Sequence, residues 1–300
     1  MDKVAIVILN YLNYKDTMEC VESIALDQYP AKEIIIVDNG SPNDSQARLE
    51  EKFRNHGGVH LLFSEKNEGF ARGNNLGIRY ARDILGCNFV LLLNNDTVVK
   101  DAGMITTLME AYAPGVGVLG PRILAADGHE QNPARADYDV IRSALQQDLY
   151  YWRKITTIRF RQSSLYQGLK RMNIFQKKKK KSGEITRNKL AANSIASLNL
   201  ILHGACFLLT PDYFKYYPFL FPGTFLYYEE DILTILTRKV GLTKKFVHTT
   251  YVFHKEHQSM KISIDQDKGQ KSKYYIDSLK AAKKIYPMDY ATLTKVYFQF

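Results

Sequence analysis

Five apolar residues, Phe89-Val-Leu-Leu-Leu93, run without a break into Asn94-Asn95-Asp96 and then into Thr97-Val98-Val99. A continuous apolar run of this length fits a strand covered on both faces, as in the central strands of a parallel sheet between two helical layers. Asp96 then falls just past the carboxyl end of that strand. Ligands of open α/β sheets bind in that crevice, because loops from several strands converge there. A carboxylate at this point can hold a divalent cation through oxygen, and Asn94 or Asn95 can add a carbonyl or hydrogen-bond the bound group. Read alone, Asn-Asn-Asp is equally a turn that ends a strand.

The rest of the chain repeats the pattern. Val4 to Leu9 reads as a buried strand ending at Asn10-Tyr11, and Asp16-Thr17 can cap a helix carrying Met18, Val21 and Ile24 inward. Glu33 to Val37 is a second strand, stopping at Asp38-Asn39-Gly40-Ser41, a turn rich in left-handed formers. A helix near 45–55, a strand near 60–63 and a helix from Gly69 to Ile84 lead to the Phe89 strand. This alternation predicts a parallel, right-handed βαβ arrangement. After a helix near 103–113, Val116 to Leu119 reads as a strand ending at Gly120-Pro121. Ser197 to Leu209 returns to strand character, Glu229-Glu230-Asp231 opens a helix ending near Gly241, Val247 to Phe253 is a last strand, and Lys271 to Ile285 closes the chain as a helix. The expected organisation is residues 1–121 as a nucleotide-binding half, 122–196 as a basic accessory insertion, and 197–300 as an acceptor-binding half with C-terminal helices.

With 300 residues and 45% hydrophobic composition, the chain can bury a substantial core. Cys20, Cys87 and Cys206 are far apart and lie in apolar surroundings, which fits reduced core thiols rather than a disulfide framework. The N-terminus enters a strand directly, and no apolar run approaches the roughly 20 residues of a membrane span. A soluble or peripheral protein of the cytoplasm is expected. The net charge of +10 is concentrated in one place: between Arg153 and Lys189, thirteen Lys or Arg face the single acid Glu184, a local +12.

Several residues suit chemistry. Asp38 at a strand end can accept hydrogen bonds from a base or ribose, or simply hold a turn. Gly69 and Gly73 permit close backbone approach to a phosphate, with Arg72 able to pair with it; the same residues would start a plain helix. Glu229, Glu230 and Asp231 stand at a helix N-terminus, where the dipole favours negative charge for stability alone. The aromatic approach Phe225-Leu-Tyr-Tyr228 suggests instead a partly buried wall in which one carboxylate acts as general base. His254 follows a strand, and an imidazole converging on Asp96 would make a metal pair.

In order and spacing, Val-Ala-Ile-Val-Ile-Leu-Asn10-Tyr11, Ile-Val-Asp38-Asn-Gly-Ser, Asn67-Glu-Gly-Phe-Ala-Arg72-Gly-Asn-Asn75, Leu-Leu-Asn94-Asn95-Asp96-Thr and Phe-Leu-Tyr-Tyr-Glu229-Glu230-Asp231, with His254 beyond, resemble the family 2 glycosyltransferases. The likeness covers roughly residues 3–121 and 197–260 and leans to the rhamnosyltransferase-like and capsular-polysaccharide branch. It implies an α/β GT-A fold, with a mostly parallel central sheet flanked by helices, and inverting transfer of a sugar from a nucleotide-diphosphate donor. By the same resemblance Asp38 contacts the base, and Asn10, Tyr11, Arg72, Asn75, Asn94 and Asn95 belong to the donor site. Asp96 and His254 hold Mg²⁺ or Mn²⁺, and Glu230 is the catalytic base, with Asp231 as the alternative. Asn94 stands where the family's DxD element often has its first aspartate.

The basic stretch 150–181 interleaves cations with aromatics, and Trp152, Ile155, Ile158 and Leu165 fit one helix face, so an amphipathic segment docking on anionic lipid is expected. That would place the enzyme on the inner face of the plasma membrane, near a lipid-linked saccharide acceptor. A solvated loop is the plainer reading, and no nucleic-acid recognition module accompanies the charge. Two other functions fit parts of the pattern: a sugar-nucleotide nucleotidyltransferase, and a non-catalytic polybasic membrane-binding protein on a transferase scaffold. Against the former, Asn10 to Lys15 lacks a Gly-rich motif with a catalytic cation.

Overall fold

The computed structural model describes residues 1–136, 144–171, 195–197, 200–256 and 268–299. Lys177 to Lys181 lie outside the described residues. The first half follows the alternation read from the sequence: β1 Val4–Asn10, α1 Tyr14–Ala25, β2 Lys32–Asp38, α2 Ser45–Phe53, β3 Val59–Phe63, α3 Gly69–Arg79, β4 Phe89–Asn94 and β5 Thr97–Val99. α1 is capped by Asn13, whose side chain accepts from the Asp16 amide, rather than by the Asp16-Thr17 pair. Then come α4 Met104–Glu110, β6 Val116–Ala125, β7 Arg135–Ala136, α5 Ala144–Gln162, α6 Ser164–Arg171, β8 Ile195–Ser197, β9 Leu200–Ile201 and β10 Cys206–Leu209. α7 Pro211–Phe214, α8 Glu229–Lys239, β11 Thr243–His254, α9 Lys268–Ile285 and α10 Tyr290–Tyr297 complete the chain.

The main sheet runs β3-β2-β1-β4-β10-β6-β11-β5, with β8 paired to β11. β3, β2, β1 and β4 are mutually parallel, whereas β10 runs antiparallel to both β4 and β6. Strand alternation divides the core. Val4, Ile6 and Ile8 join Leu91, Leu93 and α1, α2 and α4 on one face. Ala5 and Val7 join Val90, Leu92, α3 and the C-terminal helices on the other. β1, β2 and β4 are therefore apolar throughout because both faces are covered. The three cysteines are free and buried, and desolvation pushes the Cys20 thiol up to about 12, so it stays protonated.

Three departures bear on the site. β6 does not stop at Pro121 but continues to Ala125, because parallel β11 pairs with it along that length. Pro121, which has no amide hydrogen to donate, sits beside the irregularity between Val247 and Tyr251 of β11. β6 thus crosses the 121/122 division, and the chain beyond it bonds back to β6 through the Gln131 backbone amide and pairs with β9 at Arg135–Ala136. The single strand expected over 197–209 is interrupted between β9 and β10, around His203-Gly204. α5, finally, splits the apolar set expected on one face: Tyr151 is buried and Ile155 and Ile158 follow it inward, while Trp152 is 63% exposed, alongside exposed Leu149 and Phe160. Tyr151 sets this rotation, since residues four and seven further on share its side of a helix. Among the described residues, no helix is long and apolar enough to cross a membrane.

Candidate active site

One cavity of about 980 Å³ opens where β1, β4 and β11 end, and Tyr11, Asn94, Asn95, Asp96, Glu230, Asp231 and His254 all line it. One side of it is built by strand pairing. β5 lies antiparallel to the end of β11 with Thr97 opposite His254, so the neighbouring Asp96 meets the imidazole. His254 Nε2 lies 3.2 Å from Asp96 Oδ1, and both residues are buried. The Lys255 amide donates to the Asp96 carbonyl (2.9 Å), and its ammonium reaches Asp16 (2.7 Å) and Glu19 (2.5 Å), tying the β11 terminus to α1.

The acidic wall enters from the other side. Tyr227 and Tyr228 both have left-handed backbones (φ 72° and 73°), a sparsely populated conformation for bulky residues that costs on the order of 1–3 kcal/mol each. Packing holds them there. The Tyr228 ring lies 6.3 Å from Tyr151 and 6.0 Å from Tyr275, with the Lys154 ammonium 5.2 Å from its centroid. This turn launches α8 so that its first three residues, all acidic, face the cavity. Glu230 Oε1 accepts from the Gly204 amide at 3.1 Å. A Cβ on Gly204 would stand 2.7 Å from that same oxygen, so the approach requires glycine. Glu229 is half-buried with its Oε1 enclosed, and desolvation together with the charge of Glu230 pushes its carboxyl up to about 8. The acid next to the candidate base is therefore neutral at pH 7.

His203 also lines the cavity, although little in its sequence context marks it. Its Nδ1 accepts from the Ala205 amide (3.1 Å), and its ring packs edge-on to His254 with centroids 5.6 Å apart. Burial holds its pKa below the ordinary histidine value, against the opposing pull of Glu230. The neutral ring then carries its proton on Nε2, a donor on the ring edge away from its own backbone. The sequence signal was slight: one His-Gly step ahead of a four-residue strand.

Other expected site residues stand behind the wall. Asp38 accepts from Asn10 Nδ2 (2.6 Å) and from the Ser41 amide (2.9 Å), so its carboxylate fixes the ends of β1 and β2. Asn95, by contrast, is on the wall itself, its Nδ2 donating to Thr17 Oγ1 and to the Asn13 carbonyl. Asn75 exchanges two hydrogen bonds with the Leu220 backbone (2.8 and 2.9 Å), and Arg72 Nε donates to the Pro222 carbonyl (2.9 Å). Both brace the segment leading to the acidic wall. The glycines expected to approach a phosphate approach protein instead. A Cβ on Gly69 would lie 2.3 Å from the Phe225 carbonyl, whose oxygen accepts from the Phe70 amide at 2.7 Å, and one on Gly73 would meet Leu9 and Asn39.

Among the described residues, no group of three or more His, Cys, Asp and Glu side chains is arranged to hold a metal. The Asp96–His254 pair still fits a divalent cation of the kind that takes one or two protein ligands and completes its shell with water and substrate phosphate oxygens.

A strand order that reverses direction at β10, with carboxylate and imidazole meeting beyond the parallel strands, defines a GT-A fold. The model of the family described as glycosyl transferase family 2 matches residues 4–215, and the chain belongs to that family. It is 28% identical over 128 residues to the low-salt glycan biosynthesis hexosyltransferase Agl10 of Haloferax volcanii, covering 43% of this chain and 39% of that protein. It is 31% identical over 107 residues to glycosyltransferase GlyG of Streptococcus pneumoniae serotype 4, covering 36% and 34% respectively. The matched stretches thus span about two fifths or less of those relatives. The fold is similar to that of GalNAc-T7, crystallised with UDP, GalNAc and Mn²⁺, with a TM-score of 0.55 at 14% identity, over 85% of this chain and 44% of that one.

Proposed function

We propose that the protein is a metal-dependent inverting glycosyltransferase. It moves a hexosyl or deoxyhexosyl unit from a nucleotide-diphosphate donor to a hydroxyl of a saccharide acceptor in bacterial surface polysaccharide synthesis, including capsule. The observation carrying this reading is that Asp96, His254 and Glu230, distant in sequence, line one cavity large enough for a sugar diphosphate. Asp96 and His254 would hold Mg²⁺ or Mn²⁺, which when bound supplies charge neutralisation on the departing nucleoside diphosphate. Tyr11, Asn94 and Asn95 form the donor side of the wall, and Asn10, Asp38, Arg72 and Asn75 fix its shape from behind. Glu230, oriented by the Gly204 amide, takes the proton of the acceptor hydroxyl as that oxygen attacks the anomeric carbon. Asp231 is the alternative base, one position further along the same helical turn.

The acceptor in this proposal is lipid-linked, and the enzyme sits peripherally on the inner face of the plasma membrane. Support comes from α5, whose outward side presents Leu149, Trp152 and Phe160 while Arg153, Arg159 and Arg161 add positive charge. Vesicles containing anionic lipid should sediment the wild-type protein and lose it when Lys177 to Lys181 are neutralised; unchanged sedimentation removes the pentalysine as anchor.

The catalytic reading is tested by Glu230→Gln. Transfer should fall by about 10²–10⁴, the usual worth of general-base help, while the affinity for the nucleotide sugar stays within a few-fold. Full turnover would take the role from Glu230. A thermal-shift panel of nucleotide sugars with and without Mn²⁺ would identify the donor, since a ligand bound only by the native state raises its apparent stability.

A further inference from the structure

The loop between β6 and β7 reaches back into the cavity. The Gln131 amide nitrogen donates to the Ile123 carbonyl (2.8 Å), and the next residue, Asn132, is bonded on both sides. Asn132 Nδ2 donates to the Pro121 carbonyl (2.6 Å), and its Oδ1 accepts from the His203 amide (3.0 Å). The backbone at 131–132 is therefore fixed between β6 and the His203 turn, and the Gln131 side chain is directed at His254.

Two polar groups meet that side chain: the Glu256 carboxylate and His254 Nδ1, the latter 2.8 Å from Gln131 Oε1. Glu256 reaches this place from a left-handed backbone (φ 62°), which turns it back over the end of β11. An ionised carboxylate only accepts hydrogen bonds, so the amide must present its NH₂ to Glu256. Its oxygen is then turned to His254, and an oxygen facing Nδ1 requires that Nδ1 carry the hydrogen. In the neutral ring the remaining lone pair is then on Nε2, the atom 3.2 Å from Asp96 Oδ1. Two acceptor atoms face each other there in a buried site, an arrangement that a cation bonded to both would satisfy.

We propose that Gln131 is a positioning residue for this cation site, its amide oriented by Glu256 so that His254 turns the Nε2 lone pair toward Asp96. The inference rests on the metal-dependent reading above and adds to it a relay outside the ligand pair, Glu256 to Gln131 to His254. Outer partners of this kind commonly change metal affinity by about 10–100-fold when removed.

The test is Mn²⁺ affinity, measured from the electron paramagnetic resonance signal of free Mn²⁺, for Mn²⁺ alone and with UDP, GDP or dTDP present. Gln131→Met keeps the length and loses the amide; affinity should fall about 10-fold or more. The exchanged pair Q131E/E256Q puts an acceptor-only carboxylate against Nδ1 and an amide behind it, so the hydrogen stays on Nδ1. Its affinity should return to within about threefold of wild type, which a general packing defect at position 131 would not allow. Two results overturn the relay while leaving the metal reading intact: Mn²⁺ binding by Q131M within threefold of wild type, or an exchanged pair that melts like wild type yet binds as weakly as Q131M. Wild-type protein that binds no Mn²⁺ under any of these conditions overturns both.

Discussion

Replacing Glu229 by Gln isolates one enclosed carboxyl next to the candidate base. The folded protein holds the Glu229 proton until about pH 8, whereas a carboxyl in the unfolded chain releases it near its ordinary value of 4.5. Between those values the native state binds more protons than the unfolded state, so stability declines as pH rises through the window and levels off above it. The slope from one such group is about 1.4 kcal/mol per pH unit, accumulating to on the order of 5 kcal/mol across the window. Gln has the shape of the protonated acid and no proton to lose. The stability of Glu229→Gln relative to wild type should therefore rise steadily from about pH 5 to pH 8 and plateau beyond. Urea unfolding of both proteins at pH 5.5, 7 and 9 measures this difference, and comparing them cancels the other titrating groups. A difference that is flat across the three pH values would refute the claim that Glu229 is neutral in the folded protein.

Gly204→Ala should displace the Glu230 carboxylate, because the added carbon falls 2.7 Å from Oε1. A steady-state assay should find turnover reduced by one to two orders of magnitude, about what a misplaced general base costs, with the circular dichroism spectrum kept. Asn75→Ala removes both hydrogen bonds to the Leu220 backbone and leaves two buried groups without partners. Denaturant unfolding should record a loss of about 2–4 kcal/mol. Trp152→Glu should weaken co-sedimentation with anionic vesicles and leave solution transfer to a soluble saccharide unchanged, since the ring points to solvent.

The parts of the molecule read directly from the sequence are those whose signals are local. Phe89 to Leu93 is apolar because both of its faces are covered, and the polar residues after it mark the strand end. Glu229 to Asp231 follow an aromatic run because that run anchors the turn that launches α8. The parts missed depend on pairing between distant segments. Pro121 reads as a strand end, and only the irregularity in β11 explains why β6 continues past it. Gln131 lies in a stretch whose weak apolar pattern suggests an insertion, and its direction toward His254 comes from bonds made by Asn132 to Pro121 and His203. Arg72 and Asn75 look like ligand-facing polar residues in sequence, because a side chain that braces a backbone and one that binds a diphosphate have the same composition.

The short pairing of β5 with the end of β11 makes the gap between Asp96 and His254 a dimension of the sheet, gauged by backbone rungs rather than by side-chain choice. Side chains alternate along a strand, so a slip of one residue in that register would turn the imidazole to the opposite face. Docking the last rungs of the edge and bringing Asp96 to His254 are consequently a single assembly event. A molecule whose edge strand has frayed should lose the meeting of carboxylate and imidazole altogether.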